Sequence, residues 1–387
     1  MKIIISPDSF KGSFTALEVT YEINKAIKEI SQDIETVLLP VADGGEGTLE
    51  ALITATQGST IDVEVHDPIG RLIQAEYGVL GDGETCVIEM AKASGIMLLQ
   101  KEEKNPLQAS TFGTGELVLH ALNRGYKKFI IGLGGSATND GGTGMLRALG
   151  MKFLNKYGKE IPLEPQFLRD LHEIDPTDFD GRIKDCQFIL ASDVDNPFVG
   201  LNGATKVFGP QKGVTSNMLE VLDKNLEHLA NIIEEVTQIT LHKLPGAGAA
   251  GGLGGAFLAF FPVYMKPGIE VVMEAINFEE RIKDADFIIT GEGKSESQTL
   301  SGKAPIGIAK VANKHNVPVI LISGVIELES TPALSTRFFK LVSITNETIS
   351  AEKSMRRASY YLKERTKETI ESILNLRLNN VAKFNES

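Results

Sequence analysis

The sequence predicts an α/β fold built on largely parallel sheets. Three observations carry this prediction: short apolar runs recur along the chain, each ends in Gly, Asp or Ser, and amphipathic stretches of helical periodicity lie between most of them. Repetition of strand, polar turn and helix is typical of parallel α/β sheets. Ligands of such sheets bind beyond the carboxyl ends of the strands, which is where the polar turns fall.

The predicted elements alternate in a regular order. The predicted strands are "KIIISPDS", "ETVLLPVADGG", "KKFIIGLGGS", "QFILASDVDNP", "ADFIITGEG" and "VPVILISG". The predicted helices are 15–30, 114–124, 142–150, 218–236, 303–315 and 352–377. The last of these is charged and amphipathic, which is typical of a helix that packs on a protein surface.

One region departs from this order. Residues 60–92 alternate between apolar and polar side chains and contain the turn "GDGE", which indicates antiparallel hairpins. We therefore expect a domain junction near this region and a return crossing near 280–286. The predicted domains are 1–72 plus 285–387, a discontinuous Rossmann-like unit, and 73–284, an inserted α/β unit.

Composition and charge exclude several classes of protein. The 387 residues are 42% hydrophobic and 23% charged, with a net charge of −12. Nucleic acid and anionic membranes are therefore not expected as partners. The longest weakly polar stretch, "GGLGGAFLAFFPVYM", is shorter than the roughly 20 residues that span a bilayer, and the N-terminus lacks a signal-peptide pattern. With Cys86 and Cys186 in apolar runs, we expect reduced buried thiols in a cytoplasmic protein.

The turn after the first predicted strand, "SPDSFKGSFTALE", places Asp8 and Lys11 three residues apart. An acid and an amine at a strand end suit proton transfer or the binding of a metal and a phosphate. Ser13 or Thr15 is expected to cap the next helix, with Glu18 completing a capping box if Thr15 is the cap. A purely structural alternative, capping together with an ordinary surface ion pair, stays open.

The turn after the second predicted strand, "PVADGGEGT", brackets Gly44 and Gly45 with Asp43 and Glu46. Glycines let backbone amides face an anion at a helix N-terminus. The alternative is a tight turn with solvent-facing acids.

The third turn, "GLGGSATNDGG", holds five glycines within residues 132–142. Gly134, Gly135 and Ser136 are expected to form an anion-binding nest of backbone N–H groups, with Asn139 and Asp140 entering the same space. A turn without a ligand needs only one or two glycines, so a close partner is predicted here.

The fourth turn, "ASDVDNPFVG", carries Asp193 and Asp195 two residues apart, followed by Asn196. In an extended segment these carboxylates point the same way and suit Mg²⁺ or a hydroxyl group; a turn preceding Asn-Pro is the alternative. In the next segment, "GATKVFGPQKG", Lys206 and Lys212 are expected to be surface lysines.

The fifth turn, "TGEGKSESQTLSGKAP", places Glu292 between Gly291 and Gly293, and Lys303 where a helix begins. Ser297 and Gln298 lie between them. The "GKS" at 293–295 is not a phosphate-binding P-loop, because the first glycine of that motif falls on Ile288.

Other catalytic signatures are incomplete or absent in the sequence. "GAGAAG" at 246–251 fits a dinucleotide-binding pattern, but Pro245 precedes it where a strand is required. A small-residue helix packed closely on a neighbour explains it better. None of the six histidines lies in a motif, and no serine-hydrolase elbow or zinc-protease helix is present.

Taken together, these turns make the chain resemble the glycerate kinase family. The matching segments run in family order from residue 5 to about 310. They are "PDSFKGS", "VADGGEGT", "GTGELVLHAL", "GLGGSATNDGGTGML", "SDVDNPFVG", "GATKVFGPQKG", "GAGAAGGLGG" and "ITGEGKSESQTLSGKAPIGIA". One departure is Glu296, where the family usually carries Asp, so the reach of this carboxylate is one methylene longer.

The resemblance implies two α/β domains, one inserted in the other, with the active site in the cleft between them. It also implies that MgATP phosphorylates a small hydroxy acid, glycerate, to give 2-phosphoglycerate or 3-phosphoglycerate. Phosphoryl transfer depends on positioning and charge neutralisation, which glycine-rich backbone, acids and lysines supply.

The candidate site combines the residues of the five turns. Catalysis is assigned to Asp8, Lys11, Asp43, Asp193 and Lys303. ATP binding is assigned to Gly134, Gly135, Ser136, Asn139, Asp140, Gly291 and Gly293. Substrate binding is assigned to Ser9, Gly44, Gly45, Glu46, Asn196, Ser297 and Gln298. Mg²⁺ binding is assigned to Asp193, Asp195 and Glu292.

Two other functions stay open at this point. The chain could be a non-catalytic regulator that binds a sugar acid on a kinase scaffold, or a nicotinamide-dependent hydroxy-acid dehydrogenase using "GAGAAG". The expected oligomeric state is monomer or homodimer.

Overall fold

The computed structural model describes residues 1–297, 299–346 and 348–385, without the side chains of Ser301 and residues 376–385. The chain forms two compact units. The first contains Met1–Asp43, Glu50–Thr56 and the described residues from Val272 onward, and the second contains Gly44–Leu49 and Gln57–Val271.

The first unit is built on a five-stranded parallel sheet. Its strands are β1 (Lys2–Ile5), β2 (Glu35–Leu38), β11 (Phe287–Ser295), β12 (Val319–Ile326) and β13 (Lys340–Ser343). Their order is β13-β12-β11-β1-β2, and every neighbouring pair is parallel. The helices that lie wholly or mainly in this unit are α1 (Ala16–Ile30), α2 (Thr48–Thr56), α10 (Phe278–Arg281), α11 (Ala304–Lys314), α12 (Thr331–Ser335), α13 (Ala351–Arg356) and α14 (Ala358–Asn385), and α9 (Gly268–Ala275) is divided equally between the two units.

The second unit is built on a six-stranded mixed sheet and a small hairpin. Its strands are β3 (Ser59–His66), β4 (Leu72–Val79), β5 (Thr85–Glu89), β6 (Lys128–Gly132), β7 (Lys152–Leu154), β8 (Glu173–Asp175), β9 (Gln187–Ala191) and β10 (Val263–Lys266). The sheet order is β10-β9-β6-β5-β4-β3, and β7 pairs with β8. Its helices are α3 (Ala91–Ser94), α4 (Phe112–Asn123), α5 (Thr143–Ala148), α6 (Ala204–Phe208), α7 (Ser216–Thr237) and α8 (Leu253–Phe260).

These sheets confirm the α/β prediction. The four strands β10, β9, β6 and β5 are parallel, whereas β4 is antiparallel to both β5 and β3. The hairpins predicted in 60–92 are therefore present. They are amphipathic because one face of each strand packs on the core while the other stays in solvent.

Each unit has its own apolar core. In the first, the inward side chains of β1, β11 and β12 pack with α1 and α14, with Ile3 and Ile320 fully buried. In the second, Phe129 and Phe188 stack at the centre of the sheet with ring centroids 4.6 Å apart, and Phe188 also meets Phe261 edge to face. Burial of this kind supplies most of the free energy of folding.

Helix α1 shows how the local signals act. Thr15 Oγ1 accepts the backbone N–H of Glu18, and the Glu18 carboxylate accepts the N–H of Thr15, which confirms the capping box. The buried positions, which include Val19, Ile23 and Ile27, recur at helical spacing and face the sheet.

The limits of the two units differ from the predicted domain limits. Residues 57–72 belong to the second unit, because β3 completes the same sheet as β4 and β5. Residues 272–284 belong to the first unit, where α10 lies shortly before β11. The hairpin signal marks the interior of a sheet in this chain, so it does not mark a boundary.

Two element predictions need correction. The segment 290–295 is not a turn, because β11 continues through Ser295 and pairs with β12 as far as Ile326. The C-terminal helix predicted at 352–377 is two helices, α13 and α14, which are interrupted at Arg357, whose backbone is not helical.

The "GAGAAG" segment is not a dinucleotide-binding turn. No strand directly precedes it, since the element before it is α7, and its last residues form a 3-10 turn, Ala249–Gly252, that leads into α8. A Cβ added at Gly255 would lie 2.6 Å from the Phe198 ring. This segment is therefore a close-packed helix start, as expected. Among the described helices, none is long and apolar enough to cross a membrane.

Candidate functional site

The first unit contains a cavity of about 290 Å³ beyond the carboxyl ends of its parallel strands. The cavity is lined by both charged and apolar residues. The charged lining consists of Asp8, Lys11, Asp43, Glu292, Lys294, Glu296 and Lys303. The apolar lining includes Phe10, Val325, Ile344 and Met355.

Asp8 is the most perturbed acid of this cavity. It lies three residues after the end of β1, and its backbone N–H donates to the carbonyl of Gly291 at 2.9 Å. Its side chain is held by the N–H of Ser9, 2.6 Å from Oδ1, and the residue is only 7% exposed. Burial, reinforced by the charge of Asp43, raises the pKa of Asp8 to about 7.

Lys11 and Asp43 form a loose ion pair across the same cavity. The Lys11 Nζ lies 3.9 Å from Asp43 Oδ2, and the lysine side chain is 80% exposed. An exposed pair of this length contributes little to stability. Lys303 also lines the cavity and stands at the N-cap position of α11, as predicted.

Glu292 is buried and held from one side. Its Oε1 accepts the hydroxyl of Ser295 at 2.9 Å and that of Thr299 at 2.6 Å. Burial raises the pKa of Glu292, while the two hydroxyl groups oppose this rise. In the part of the chain that the structure describes, Oε2 accepts no hydrogen bond, so this oxygen is available to a ligand in the cavity.

Glu296, the departure from the family pattern, lies at the edge of this cavity. Its Oε2 is 2.7 Å from the Lys294 Nζ, and Glu327 pairs with the same lysine at 2.7 Å. The hydrogen bond from Lys294 holds the pKa of Glu296 below its ordinary value. Ser297 is exposed beside it, and Gln298 lies outside the described residues.

The two predicted glycines of this segment differ in their surroundings. Gly291 is inside β11, where an added Cβ would lie 2.1 Å from the carbonyl oxygen of Ile322. Strand pairing therefore leaves no room for a side chain at Gly291, and its contact with ATP stays a prediction. Gly293 lines the cavity and packs against the backbone of Phe10, 3.3 Å from the added Cβ.

In the second unit, the glycine-rich turn after β6 packs against backbone. A Cβ added at Gly134 would lie 2.6 Å from the Cα of Gly45. Gly44 has a φ of +87°, and its added Cβ would lie 2.7 Å from the carbonyl oxygen of Ala191. The close partners of Gly44 and Gly134 are therefore neighbouring loops of the same unit. Glu46 is exposed beside them.

The side chains of Asp140 and Asn139 form hydrogen bonds inside the second unit. Asp140 is fully buried, and its carboxylate accepts hydrogen bonds from the N–H and hydroxyl of Thr111 and from the N–H groups of Gly142 and Gly144. Asn139, 1% exposed, bonds to the hydroxyl of Thr205. Internal partners therefore hold both side chains, and the expected contact of Asn139 and Asp140 with ATP stays a prediction.

The predicted metal ligands lie in separate units. Asp193 and Asp195 follow β9 in the second unit and are exposed, whereas Glu292 is buried in the first. The Oδ1 of Asp193 accepts the N–H of Gly268, and the side chain of Asn196 donates to the carbonyl of Asn202. Among the described residues, no three acids, histidines or cysteines are grouped closely enough to hold a metal ion on their own.

Two buried charged residues of the second unit were missed as candidates. Lys212, expected to be a surface lysine, is 2% exposed, because the Gly209-Pro210 turn and Gly213 direct its side chain inward. Glu89, at the end of β5, accepts the N–H of Leu49 at 2.6 Å. The sequence offered one signal for Lys212, its position between two glycines in a segment of the family pattern.

A charged cavity at the carboxyl edge of a parallel sheet is typical of α/β enzymes that bind small ligands. The family model described as the glycerate kinase family matches residues 3–374. The chain is 45% identical to the glycerate kinase of Bacillus subtilis, over 96% of this chain and 98% of that protein. It is 50% identical to the glycerate 2-kinase of Escherichia coli, over 84% of this chain and 85% of that protein.

A solved structure agrees with these relatives. A crystal structure from Salmonella typhimurium LT2, whose name refers to glycerate kinase 2, superposes with a TM-score of 0.87 at 41% identity. The match covers 98% of this chain and 99% of that one. The chain belongs to the glycerate kinase family.

Proposed function

We propose that this kinase transfers the γ-phosphoryl group of MgATP to the 2-hydroxyl of D-glycerate and releases 2-phosphoglycerate. The position of transfer is supported by the 50% identity with the Escherichia coli protein named glycerate 2-kinase. Transfer to the 3-hydroxyl is the alternative product that the experiment below distinguishes.

The observation that carries the proposal is the cavity of the first unit. It places three carboxylates and two lysines, Asp8, Asp43, Glu292, Lys11 and Lys303, at the carboxyl edge of a parallel sheet. Ligand cavities of proteins span roughly 300–1,000 Å³, so a volume of about 290 Å³ suits a molecule as small as glycerate. Phosphoryl transfer needs this combination of a base, cations and metal-binding oxygens.

Asp8 is the proposed general base. Its pKa of about 7 is close to working pH, where a base balances availability against proton affinity. In the proposed step, the attacking hydroxyl oxygen forms a bond to the γ-phosphorus while the bond from that phosphorus to the bridging oxygen of ADP breaks. The hydroxyl proton passes to a carboxylate oxygen of Asp8.

The lysines are proposed to neutralise charge. Lys11 is exposed enough to move toward the carboxylate of glycerate or the transferred phosphoryl group. Lys303, at the beginning of α11, is the second candidate for this role. Without such a cation, two anionic substrates would repel each other in a protein of net charge −12.

Mg²⁺ fits the donor set of this cavity. Mg²⁺ commonly binds one or two carboxylates together with substrate phosphates and water, and Asp43 and Glu292 line the cavity with carboxylate oxygens. Asp193 and Asp195 of the second unit are also proposed as Mg²⁺ ligands, because carboxylates two residues apart suit a divalent ion. When bound, the ion neutralises charge on the phosphates.

The remaining assignments are proposals of the same kind. Gly134, Gly135 and Ser136 are proposed to contact an anionic group, and Gly293 is proposed to contact ATP. Substrate contacts are proposed for Ser9, Gly44, Gly45, Glu46, Asn196 and Ser297. The protein is proposed to be a monomer or a homodimer.

The test is an assay of ADP release with D-glycerate as acceptor. We expect turnover that requires Mg²⁺ and stops on addition of EDTA, and ³¹P NMR should identify 2-phosphoglycerate. A panel of three- to six-carbon hydroxy acids measures how strictly glycerate is preferred. A product phosphorylated at the 3-position would refute the proposed position of transfer.

The same assay separates the two other functions. A sugar-acid-binding regulator would bind glycerate without releasing ADP. A nicotinamide-dependent dehydrogenase would bind NAD(H) in a titration, but the "GAGAAG" segment lacks the strand that such binding requires.

A further inference from the structure

Lys212 lies directly behind the glycine-rich turn of the second unit. It ends a 3-10 helix, Pro210–Lys212, and precedes Gly213, whose φ is +97°. The side chain is 2% exposed. Its amine donates to Ser136 Oγ at 2.6 Å and to the carbonyl oxygen of Thr138 at 2.8 Å. A buried amine is costly unless it is paired, so its place under this turn needs an explanation.

Ser136 has a proton to donate. Because its oxygen accepts the Lys212 proton, its own O–H must point to another acceptor. Within the described residues this hydroxyl donates no hydrogen bond, and the residue is 7% exposed. A hydroxyl that accepts from a cationic donor is polarised and becomes a stronger donor itself.

The backbone beside this hydroxyl is also rich in free donors. The N–H groups of Gly134, Gly135 and Ser136 donate no hydrogen bond within the described part of the chain. Gly135 is exposed and has a φ of +73°. Successive N–H groups in a turn of this type form a concave site for an anion.

The ionisable groups closest to Lys212 and this turn are the amine of Lys212 itself and the carboxylate of Asp140. Burial lowers the pKa of Lys212 to about 7, and the nearby carboxylate of Asp140 opposes this change. Asp140 already accepts hydrogen bonds from Thr111, Gly142 and Gly144. An anion at the turn would favour the charged form of the amine, because opposite charges stabilise each other.

We propose that Lys212 and Ser136 form a relay in which the buried ammonium polarises the serine hydroxyl, and this hydroxyl, with the N–H groups of residues 134–136, binds an anionic oxygen of a substrate. The inference rests on the proposed function, since the anion is either a phosphate of ATP or the carboxylate of glycerate. Ser136 is the contacting residue, and Lys212 is a positioning residue that acts through it.

A purely structural role for the lysine predicts something different. If the amine only ties residues 136–138 together, removal of the Ser136 hydroxyl should change stability alone, since the bond from Lys212 to Thr138 remains. The relay instead requires a change in ligand affinity. The variant Ser136→Ala separates the two roles, and Ser94→Ala is its matched control, because Ser94 is a fully buried serine of the same unit whose hydroxyl bonds to Thr114.

The experiment measures binding without turnover. Titration calorimetry gives the Kd of ADP, ATP and D-glycerate, each alone, for the full-length wild type, Ser136→Ala, Lys212→Met and Ser94→Ala, with the Tm of each variant. We expect Ser136→Ala to weaken one ligand about tenfold or more, and Lys212→Met to weaken the same ligand at least as much. Weaker nucleotide binding identifies the anion as phosphate, and weaker glycerate binding identifies it as carboxylate.

Three results would overturn the relay. They are unchanged affinities in Ser136→Ala, an equal loss of affinity in Ser94→Ala, and wild-type affinity in Lys212→Met. If Lys212→Met does not fold, the affinities of Ser136→Ala and Ser94→Ala still test whether the Ser136 hydroxyl binds the ligand. Failure of the proposed function is visible separately, as absence of ADP release by the wild type, because the binding measurements do not depend on turnover.

Discussion

At the scale of single residues, Asp8 combines burial with a neighbouring negative charge. Both effects disfavour its ionised form, so the carboxylate is destabilised relative to an exposed one. A protein keeps such a group at a cost in stability, and the proposed role as general base gives the reason. Replacement of Asp8 should therefore lower activity and raise stability, and each effect can be measured separately.

Asp8→Asn should lose activity, because the amide cannot accept the hydroxyl proton. General-base removal typically costs 10²- to 10⁴-fold in rate, and we expect kcat to fall within that range. In the wild type, kcat/KM should fall as pH decreases through about 7, the pKa of Asp8, because protonation removes the base. Asp33→Asn, which changes an exposed aspartate of the same unit, should leave both parameters unchanged.

The same variant should be more stable than the wild type at alkaline pH. The pKa of Asp8 is raised from 3.8 to about 7 on folding, so the native state binds more protons than the unfolded state between these values. Stability therefore falls as pH rises through this window. Asp8→Asn avoids the loss, and we expect a gain on the order of 3 kcal/mol above pH 7 and none near pH 4. Urea unfolding of the wild type and of Asp8→Asn at pH 4 and pH 8 measures this gain. An equal difference in stability between the two proteins at both pH values would contradict the raised pKa of Asp8.

Lys11 should matter for catalysis and not for folding. Its side chain is 80% exposed and 3.9 Å from Asp43, so its loss should change stability by less than about 1 kcal/mol. If it neutralises a substrate, Lys11→Ala should lower kcat/KM about 10²-fold, which corresponds to roughly 2.7 kcal/mol. The matched control is Lys25→Ala, an exposed lysine on α1. Near-normal kinetics of Lys11→Ala would show that the cation lies elsewhere.

Site residues could be predicted from the sequence where the turns that follow the strands carry them. Asp8, Lys11 and Lys303 line one cavity, as expected of residues that follow parallel strands. The surroundings of a residue could not be predicted where its hydrogen-bond partner comes from a distant segment of the chain. Asp140 is bound by Thr111 from α4's N-terminus, and Lys212 by Ser136, and neither separation is visible in a local pattern.

At the scale of elements, β11 differs most from its expected form. The "TGEG" pattern predicted a turn, because two glycines and an acid are typical of one. Gly291 is instead needed for strand pairing, since it lies opposite Ile322 in β12. Only the three-dimensional register shows that the neighbouring carbonyl leaves no room for a side chain.

Gly291→Ala should therefore destabilise the first unit. The new Cβ would lie 2.1 Å from the Ile322 carbonyl oxygen, so the paired backbone must shift, and overpacking of this kind costs roughly 1–3 kcal/mol. Gly181→Ala is the control, because no atom lies within 4 Å of its added Cβ and its φ is not positive. Urea unfolding should show a loss for Gly291→Ala and no loss for Gly181→Ala. Equal stabilities would mean that β11 and β12 separate easily at this position.

At the scale of the whole molecule, the order of elements was predictable and the limits of the units were not. Alternation of strand and helix identified the parallel sheets, and the alternating pattern of 60–92 identified the hairpins. Assignment of β3 to the second sheet depends on pairing with β4 from His66 to Ser59. That pairing is a local hairpin, but the sheet that the hairpin joins depends on the long-range pairing of β5 with β6, which periodicity does not decide.

Each unit has its own core, so core substitutions should act on the unit that contains them. Ile320, fully buried in β12, belongs to the core of the first unit, and Phe188, stacked on Phe129, belongs to that of the second. Ile320→Ala should cost about 2–5 kcal/mol and Phe188→Ala about 3–5 kcal/mol. Hydrogen exchange followed by mass spectrometry should show faster exchange first in β1, β11 and β12 for Ile320→Ala, and first in β5, β6 and β9 for Phe188→Ala. Equal acceleration of all these strands by either variant would contradict independent cores and would mean that the chain unfolds as one cooperative unit.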